Sequence, residues 1–386
     1  MIARLAHRSE PLDARTAEHP PGAPHATPRR RIGVFIRNLQ GGGAERVAVT
    51  VANQLSTRHD VRLYLLDEQG PYRRAVAPQV LVEPMTSRRL STAAPELRRR
   101  LRADRIDVLL SHLTHENLVA ALSVLGTGIR LVAVEHNNLD AEIADRGRVN
   151  AMLTRGLYRL LHARMDTVVA VSDGVARELS RRYGAQRVVA IHNPIISPDI
   201  DAALARPTEE PLPEAPYLVF AGRLSTQKNP ALALHAMALL VSRHGYAGRL
   251  VMLGDGPLRQ DMERLALDLG IARRVEFRGF VANPYAYMRG ADALVLTSSW
   301  EGFGNVLVEA LHAGTRVVAT DCPYGPAEII DSREMGELVG DLNPEAFARA
   351  VQAALATPKT SALRRERVAR FCVDAVCERY ERLLCA

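Results

Sequence analysis

Two carboxylates, Glu301 and Glu309, lie in the stretch Leu296-Thr-Ser-Ser-Trp-Glu301-Gly-Phe-Gly-Asn-Val-Leu-Val-Glu309-Ala-Leu-His-Ala-Gly314. Their spacing decides what they can do. Eight residues of helix rise about 12 Å, whereas two carboxyls acting on one glycosidic bond stand only ~5–9 Å apart. The pair therefore suits the two ends of one long ligand, and carboxylates are good acceptors for sugar hydroxyls. Between them, Gly302 and Gly304 remove side chains where the backbone must turn, and the N–H groups of the following helical turn would face a phosphate. A nucleotide sugar has this shape, with a ribose, a diphosphate and a hexose in series. An ordinary strand–helix unit with two surface glutamates fits the same residues, so the segment alone leaves both readings open.

The elements that must hold these groups follow from the pattern around them. The apolar run Ala293–Leu296 predicts a buried strand, Ser298–Gly304 a turn, and Asn305–His312 a helix closed by Gly314. Similar units recur. Arg31-Ile-Gly-Val-Phe-Ile-Arg-Asn-Leu predicts a first strand, ending in the glycine turn Gln40-Gly-Gly-Gly-Ala-Glu-Arg46 and a helix through Leu55. Further strands are expected at Val61–Leu66, Ile106–Leu110, Leu131–Val134, Val168–Val171 and Val188–Ile191. A second series starts at Tyr217-Leu-Val-Phe-Ala and continues through Arg249–Leu253, Val275–Arg278, Ala293–Leu296 and Val317–Ala319. Strands alternating with helices argue for two parallel sheets, each covered on both faces.

Polar groups cluster just after several of these strands, where open α/β sheets bind ligands. They are Ser111-His112-Leu-Thr-His115, Glu135-His136-Asn-Asn138 and Gly222-Arg223-Leu-Ser-Thr-Gln-Lys228-Asn229. Taken one at a time, a histidine here commonly forms a turn, two cations five apart are commonly solvated, and a triple-glycine turn is commonly geometric.

The Glu-x7-Glu pattern and the surrounding Glu-Gly-Phe-Gly-Asn-Val-Leu-Val-Glu-Ala-Leu closely resemble the retaining glycosyltransferases of family four, over about Arg31 to Leu384. The resemblance implies the GT-B fold, two Rossmann-like domains with parallel sheets facing across a cleft. It also implies transfer of a hexose from a nucleotide sugar to a saccharide. By the family's Gly-Arg-x4-Lys pattern, Arg223 and Lys228 would neutralise the departing diphosphate. Gly42 and Gly43 would border that diphosphate and the acceptor, and His136 would lie beside the donor sugar. Glu301 would hold the hexose, Glu309 the ribose, and backbone N–H groups of Phe303, Gly304, Asn305 and Val306 the diphosphate.

Arg278-Gly-Phe-Val281-Ala-Asn283 matches the stretch against the nucleotide base; it offers no acidic residue to a guanine amino group, which favours UDP. His112 and His115 match nothing so definite and rank as acceptor-side candidates. Cys322-Pro-Tyr-Gly325-Pro-Ala-Glu328 resembles the Gly-Pro-x-Glu loop of members that extend polyprenyl-diphosphate-linked polysaccharides, although Glu328 also fits a helix-start carboxylate. A sugar-nucleotide 2-epimerase and a nucleotide-sugar-binding subunit at the membrane surface that has lost catalysis are the alternatives. No cofactor and no metal are expected: Asp199-Ile-Asp201 follows a proline away from any strand end, and the four cysteines (Cys322, Cys372, Cys377, Cys385) lack metal-ligand spacing.

The 386 residues suffice for two domains. The expected boundaries are a disordered tail at 1–30, an acceptor domain at 31–197, a linker at 198–216, a nucleotide-sugar domain at 217–365, and a C-terminal helix at 366–386 that returns to the first domain. No apolar run reaches the ~18 residues of a spanning helix, and the first thirty residues lack the apolar middle of a signal peptide, so a cytoplasmic enzyme is expected. The +7 charge admits nucleic acid or anionic lipid as partner. With aromatics at 5% and no zinc spacing, nucleic acid is disfavoured and peripheral contact with an anionic membrane preferred. Two leucine- and arginine-rich stretches, Pro95–Arg102 and Met152–Arg164, fit either a solvated helix over the core or a helix lying on lipid.

Overall fold

A computed structural model of the chain describes residues 28–144, 147–206, 211–213, 216–357 and 361–386. The tail expected at 1–30 lies outside the described residues up to position 27.

Seven strands form the first sheet: β1 (Arg31–Ile36), β2 (Asp60–Leu65), β3 (Leu81–Pro84), β4 (Val108–His112), β5 (Arg130–Glu135), β6 (Thr167–Ala170) and β7 (Val188–Ala190), in the order β3-β2-β1-β4-β5-β6-β7. Six form the second: β8 (Tyr217–Ala221), β9 (Arg249–Leu253), β10 (Val275–Gly279), β11 (Ala293–Leu296), β12 (Arg316–Thr320) and β13 (Glu337–Val339), in the order β10-β9-β8-β11-β12-β13. All pairings are parallel. Helices cover both faces, so the central strands are continuously apolar: Ile32, Val34, Phe35 and Ile36 are all fully buried. Two strands were not expected, β3 and β13. Both are short edge strands, and β3 ends on Pro84, which an edge tolerates.

Strand order reverses between β1 and β4 in the first sheet and between β8 and β11 in the second. At such a switch point the connections diverge to opposite faces and leave a crevice beyond the strand ends. The strand ends and loops at these two crevices carry Gly42 and Gly43, His112, Arg223 with Lys228, and Glu301 to Gly304.

The segment expected as a linker, 198–216, is helical at its start. Residues Pro198–Ala205 form a helix, because Pro198 occupies the first helical turn, where a missing N–H costs nothing. That helix packs on the Pro284–Gly290 helix of the second domain; Asn283 Nδ2 donates to the Ala203 carbonyl at 2.8 Å, and His312 Nε2 meets Asp201 Oδ1 at 2.8 Å. The C-terminal helix Val373–Cys385 buries Val373, Val376, Cys377, Tyr380 and Leu384, packing on the first domain's Gly43–Ser56 helix. Ile195 and Ile196 both donate backbone N–H to the Phe371 carbonyl, at 2.9 and 3.1 Å. All four cysteines are free, Cys322 and Cys377 buried, Cys372 and Cys385 half-buried.

Candidate active site

The β11 turn carries most of the chemistry. Glu301 is buried and pairs with the Lys228 ammonium, while Ser298 Oγ donates to the same carboxylate oxygen at 2.6 Å. Lys228 reaches it because the β8 loop is held down: Thr297 Oγ1 donates to the Lys228 and Asn229 carbonyls at 3.0 Å each, and Ser299 N donates to the Gln227 carbonyl at 2.8 Å. Arg223, on the same loop, is exposed. Burial raises the carboxyl of Glu45 above its ordinary value, against a backbone hydrogen bond and, to a lesser degree, the Arg223 charge.

The helix beginning at Asn305 spans Asn305–His312, as its sequence predicts, with Gly304 in the left-handed region at φ 96°. Its first N–H groups therefore point back toward the crevice. Phe303 is buried, its ring 5.1 Å from Phe371 and 5.2 Å from His192, so only its backbone is available to a ligand. Val306 is half-buried against the core, and Val281 likewise. The acidic group of the strand before Val281, Glu276, is held by Arg249 at 3.0 Å and Arg278 at 2.7 Å. Phe280 beside it is 64% exposed, an aromatic face that the sequence pattern did not single out.

The two domains meet over this turn. A Cβ on Gly302 would come within 1.9 Å of the His136 carbonyl oxygen, so glycine is required there by the opposite domain. A Cβ on Gly43 would stand 3.1 Å from Asn305 Nδ2, and Asn193 Nδ2 donates to Asn305 Oδ1 at 2.8 Å. Gly42 precedes the Gly43–Ser56 helix, whose Arg46 crosses the seam to pair with Glu309 and lies over the Tyr285 ring at 5.7 Å. Burial opposes the Arg46 charge, but Glu309 outweighs it and holds the guanidinium firmly protonated. Gln227 Nε2 bridges to Asn137 Oδ1 at 3.2 Å. Thus Glu301 and Glu309 each sit against a cation, and the Glu309 partner comes from the other domain. Arg46 is the functional candidate that sequence reasoning missed; it lies inside the quoted glycine turn but opens a helix, where an arginine resembles any solvated charge.

His136 is nearly buried, and its Nε2 lies 2.9 Å from His112 Nδ1 with the rings stacked. Burial drives His136 down to about 3 and His112 well below the ordinary value, so both rings are neutral at physiological pH. Leu113, between β4 and its helix, takes φ 76°, a strained conformation for leucine costing about 1–3 kcal/mol. His115 is half-buried in the next helix. The glutamate before His136, Glu135, is fully buried; burial raises it to about 8 against the hydrogen bonds from Asn117 (2.8 Å) and Thr114 (2.7 Å).

Glu328 does stand in a short helix, Pro326–Ile329, but its carboxylate serves a different one. It accepts from the N–H groups of Asp173 and Gly174 at 2.9 and 2.8 Å, capping the first domain's Asp173–Tyr183 helix, and meets His192 Nε2 at 3.1 Å. Asp173, His192 and Glu328 are the one cluster among the described residues with metal-ligand spacing, their ligand atoms lying within 4.8 Å of one another. With both Glu328 oxygens already accepting backbone hydrogens, a cation there would face N–H dipoles, and the cluster reads better as an interdomain cap. Beyond the β1 and β2 ends, a polar cavity of about 330 Å³ is walled by Arg37, Asn38, Gln40, Asp67, Gln69 and Arg88. Among the described residues no helix is long and apolar enough to cross a membrane.

Residues 41–196 match the family model described as Glycosyltransferase Family 4, and residues 204–370 match Glycosyl transferases group 1. The chain is 27% identical over 321 residues to a Campylobacter jejuni N-acetylgalactosamine-N,N'-diacetylbacillosaminyl-diphospho-undecaprenol 4-alpha-N-acetylgalactosaminyltransferase, covering 80% of this chain and 86% of the relative. It is 29% identical to a second C. jejuni protein, a GalNAc-alpha-(1->4)-GalNAc-alpha-(1->3)-diNAcBac-PP-undecaprenol alpha-1,4-N-acetyl-D-galactosaminyltransferase, covering 84% and 89%. Among solved structures, Anabaena Alr3699/HepE in complex with UDP-glucose superposes with a TM-score of 0.75 at 20% identity, covering 92% of this chain and 99% of that one. A glycosyltransferase from Rickettsia africae superposes with a TM-score of 0.72 at 17% identity, covering 92% and 98%. Likeness at this identity speaks for the fold.

Proposed function

Because this chain belongs to the family-four glycosyltransferases and has their GT-B fold, we propose that it transfers a hexose from a UDP-sugar to a lipid-linked saccharide with retention of configuration. The observation that carries this reading is the meeting of both crevices on one seam: Lys228, Glu301 and the Asn305 helix start from one domain, Gly43, Arg46 and His136 from the other.

On this reading the diphosphate lies over the N–H groups of Phe303 to Val306, with Arg223 and Lys228 beside it. Charge accumulates on the leaving diphosphate as the sugar bond breaks, and two fixed cations stabilise it without a metal. Glu309 accepts from the ribose and Glu301 from the hexose, each exchanging its present cation for ligand hydroxyls. The neutral His136 ring offers one more hydrogen-bonding nitrogen at the sugar. Phe280 gives the base an aromatic face, and the two arginines on Glu276 leave no free carboxylate to favour guanine. Gly42 and Gly43 admit the acceptor close to the diphosphate, and the polar cavity at Arg37 and Asp67 receives its sugar hydroxyls. The leaving phosphate oxygen takes the acceptor proton on the face of departure, which gives retention.

The lipid-linked acceptor is favoured by the Gly-Pro-x-Glu loop and by the two relatives, whose names specify undecaprenol-linked substrates. Work on such an acceptor places the enzyme at the inner face of the cell membrane. The test is thermal stability with UDP, GDP, ADP and CDP, in the wild type and in Arg223→Ala/Lys228→Ala. A nucleotide at about a hundred times its Kd adds roughly 2.7 kcal/mol. Selective stabilisation by UDP, lost in the double variant, is expected; stabilisation by none of the four refutes the donor site.

A further inference from the structure

His112 and His136 make a contact that donor binding does not by itself require. The strands that carry them are neighbours, and His112 stands opposite Val134 in the β4–β5 ladder, two residues before His136. Both rings are buried, His112 completely. His112 Nδ1 lies 2.9 Å from His136 Nε2, a distance at which one nitrogen must donate a hydrogen and the other accept it. His136 therefore has one nitrogen left for a ligand, Nδ1. Among the described residues His112 Nε2 is buried without a partner.

Neighbouring contacts hold this turn in place. Leu113 redirects the chain at φ 76°, and its N–H donates to the Val134 carbonyl at 3.1 Å. Asn117 Nδ2 donates to the same carbonyl at 3.0 Å, while Thr114 and Asn117 both donate to the Glu135 carboxyl. A strained backbone persists only where its surroundings enforce it, and such positions gather at functional sites. A phenylalanine would fill the same ring-shaped space and leave no buried nitrogen unpaired, so packing alone does not demand histidine at 112.

The unpaired nitrogen decides the direction of the shared hydrogen. Burial holds both rings neutral, so each carries one hydrogen. If His136 Nε2 donated to His112 Nδ1, the hydrogen of His112 would sit on Nε2, a buried N–H with nothing to accept it. If His112 Nδ1 donates, its Nε2 keeps only a lone pair, and unfilled buried acceptors are tolerated better than unfilled buried N–H groups.

We propose that His112 is a positioning residue: by donating Nδ1–H to His136 Nε2 it fixes the His136 tautomer, so that His136 meets the sugar with Nδ1–H as a hydrogen-bond donor and keeps no free lone pair with which to take a proton. This deepens the hexosyltransferase reading and rests on it for the ligand, but not for the tautomer. The group addressed is a sugar oxygen, a hydroxyl or an amide carbonyl. The proton released by the acceptor leaves by another route, which suits its capture by the departing phosphate.

Nitrogen NMR of the full chain carrying isotope-labelled histidine, with the His136 signals assigned through His136→Asn, reads the tautomer without any substrate. Wild type should show the His136 hydrogen on Nδ1; a hydrogen on Nε2 overturns the proposal. In His112→Phe the His136 ring should become a mixture of tautomers. With a UDP-hexose and a polyprenyl-diphosphate-linked saccharide, kcat of that variant should fall about tenfold while the donor KM changes by less than about twofold. His112→Asn, whose amide stands near the Nδ1 position, should regain most of the lost kcat. Thermal stabilisation by UDP equal to that of wild type reports that both variants are folded. His112→Phe turning over as fast as wild type, or slowing with the His136 tautomer unaltered, makes His112 a packing residue and overturns the proposal. If UDP stabilises neither wild type nor variants, the donor site falls, and the tautomer is still decided by the wild-type spectrum.

Discussion

Replacing Lys228 with methionine keeps the aliphatic stem and removes the charge. In the structure the ammonium is tied to Glu301, the lysine side chain being 21% and the glutamate side chain 6% exposed. Two effects should separate. On the proposed mechanism the diphosphate is already charged in the bound donor, so the cation would contribute most to the extra charge that develops as the bond breaks. Removing one such preorganised group lowers kcat about 10²–10³-fold, or roughly 2.7–4 kcal/mol. Donor KM should change little by comparison. The folded state also loses the partner of a buried carboxylate, which keeps only Ser298. A fully buried broken pair costs about 3–5 kcal/mol; with a fifth of the lysine exposed, about 2 kcal/mol is expected, seen as a fall in Tm. The assay is nucleoside diphosphate release from a UDP-sugar with a polyprenyl-diphosphate-linked saccharide, followed against donor concentration. If kcat is unchanged and the whole loss appears in KM, Lys228 holds the donor and does not assist departure.

Gly302→Ala should leave each domain folded but prevent the closed seam, since its methyl would meet the His136 carbonyl at 1.9 Å; activity should fall about a hundredfold while small-angle scattering shows a larger radius of gyration, and an unchanged radius would refute the clash. Arg46→Met frees Glu309 from its cation, so UDP should bind about threefold tighter if Glu309 takes the ribose; weaker binding in calorimetry would remove it from that role. For Glu328, burial raises the carboxyl, but His192 and the Asp173 and Gly174 N–H groups outweigh it and hold it below the ordinary 4.5. A depressed acid stabilises the fold above its unfolded value and loses that contribution as pH falls through the folded one. Wild type should therefore exceed Glu328→Gln in Tm at pH 7 and converge on it below pH 4.5. Glu135 has the opposite sign: raised to about 8, its contribution is complete below 4.5 and lost as pH rises toward 8. The stability advantage of wild type over Glu135→Gln should shrink by about 1.4 kcal/mol per pH unit between pH 5 and 7; a constant difference would mean that Glu135 is ionised in the fold.

Local pattern carried the sequence reading as far as local pattern reaches. The run Ala293–Leu296, the glycines after it and the helix Asn305–His312 stand where the sequence places them, because each depends on residues a few positions apart. The contacts that assemble the seam do not. Arg46 and Glu309 are 263 residues apart and Gly174 and Glu328 are 154 apart, so no spacing announces either pair. Gly302 looks like any turn glycine; its requirement comes from a carbonyl in the other domain. Pro198 looked like a breaker and is a helix start. The helices Leu90–Ala103 and Arg148–Leu161 share a leucine–arginine pattern, and only the fold buries Leu97 and Leu101 in the first and leaves Leu153 and Leu160 exposed in the second.

The return of the Val373–Cys385 helix to the Gly43–Ser56 helix has a consequence for biosynthesis. More than three hundred residues separate these packed partners. At roughly 5–20 residues per second, a ribosome takes from about a quarter of a minute to just over a minute to supply the missing helix. Throughout that interval the first domain emerges without its last packing layer, with the apolar side of an early helix open to solvent. The domain cannot finish folding in the order it is made, and a nascent chain stalled before Val373 should bind a trigger-type chaperone that the released protein does not.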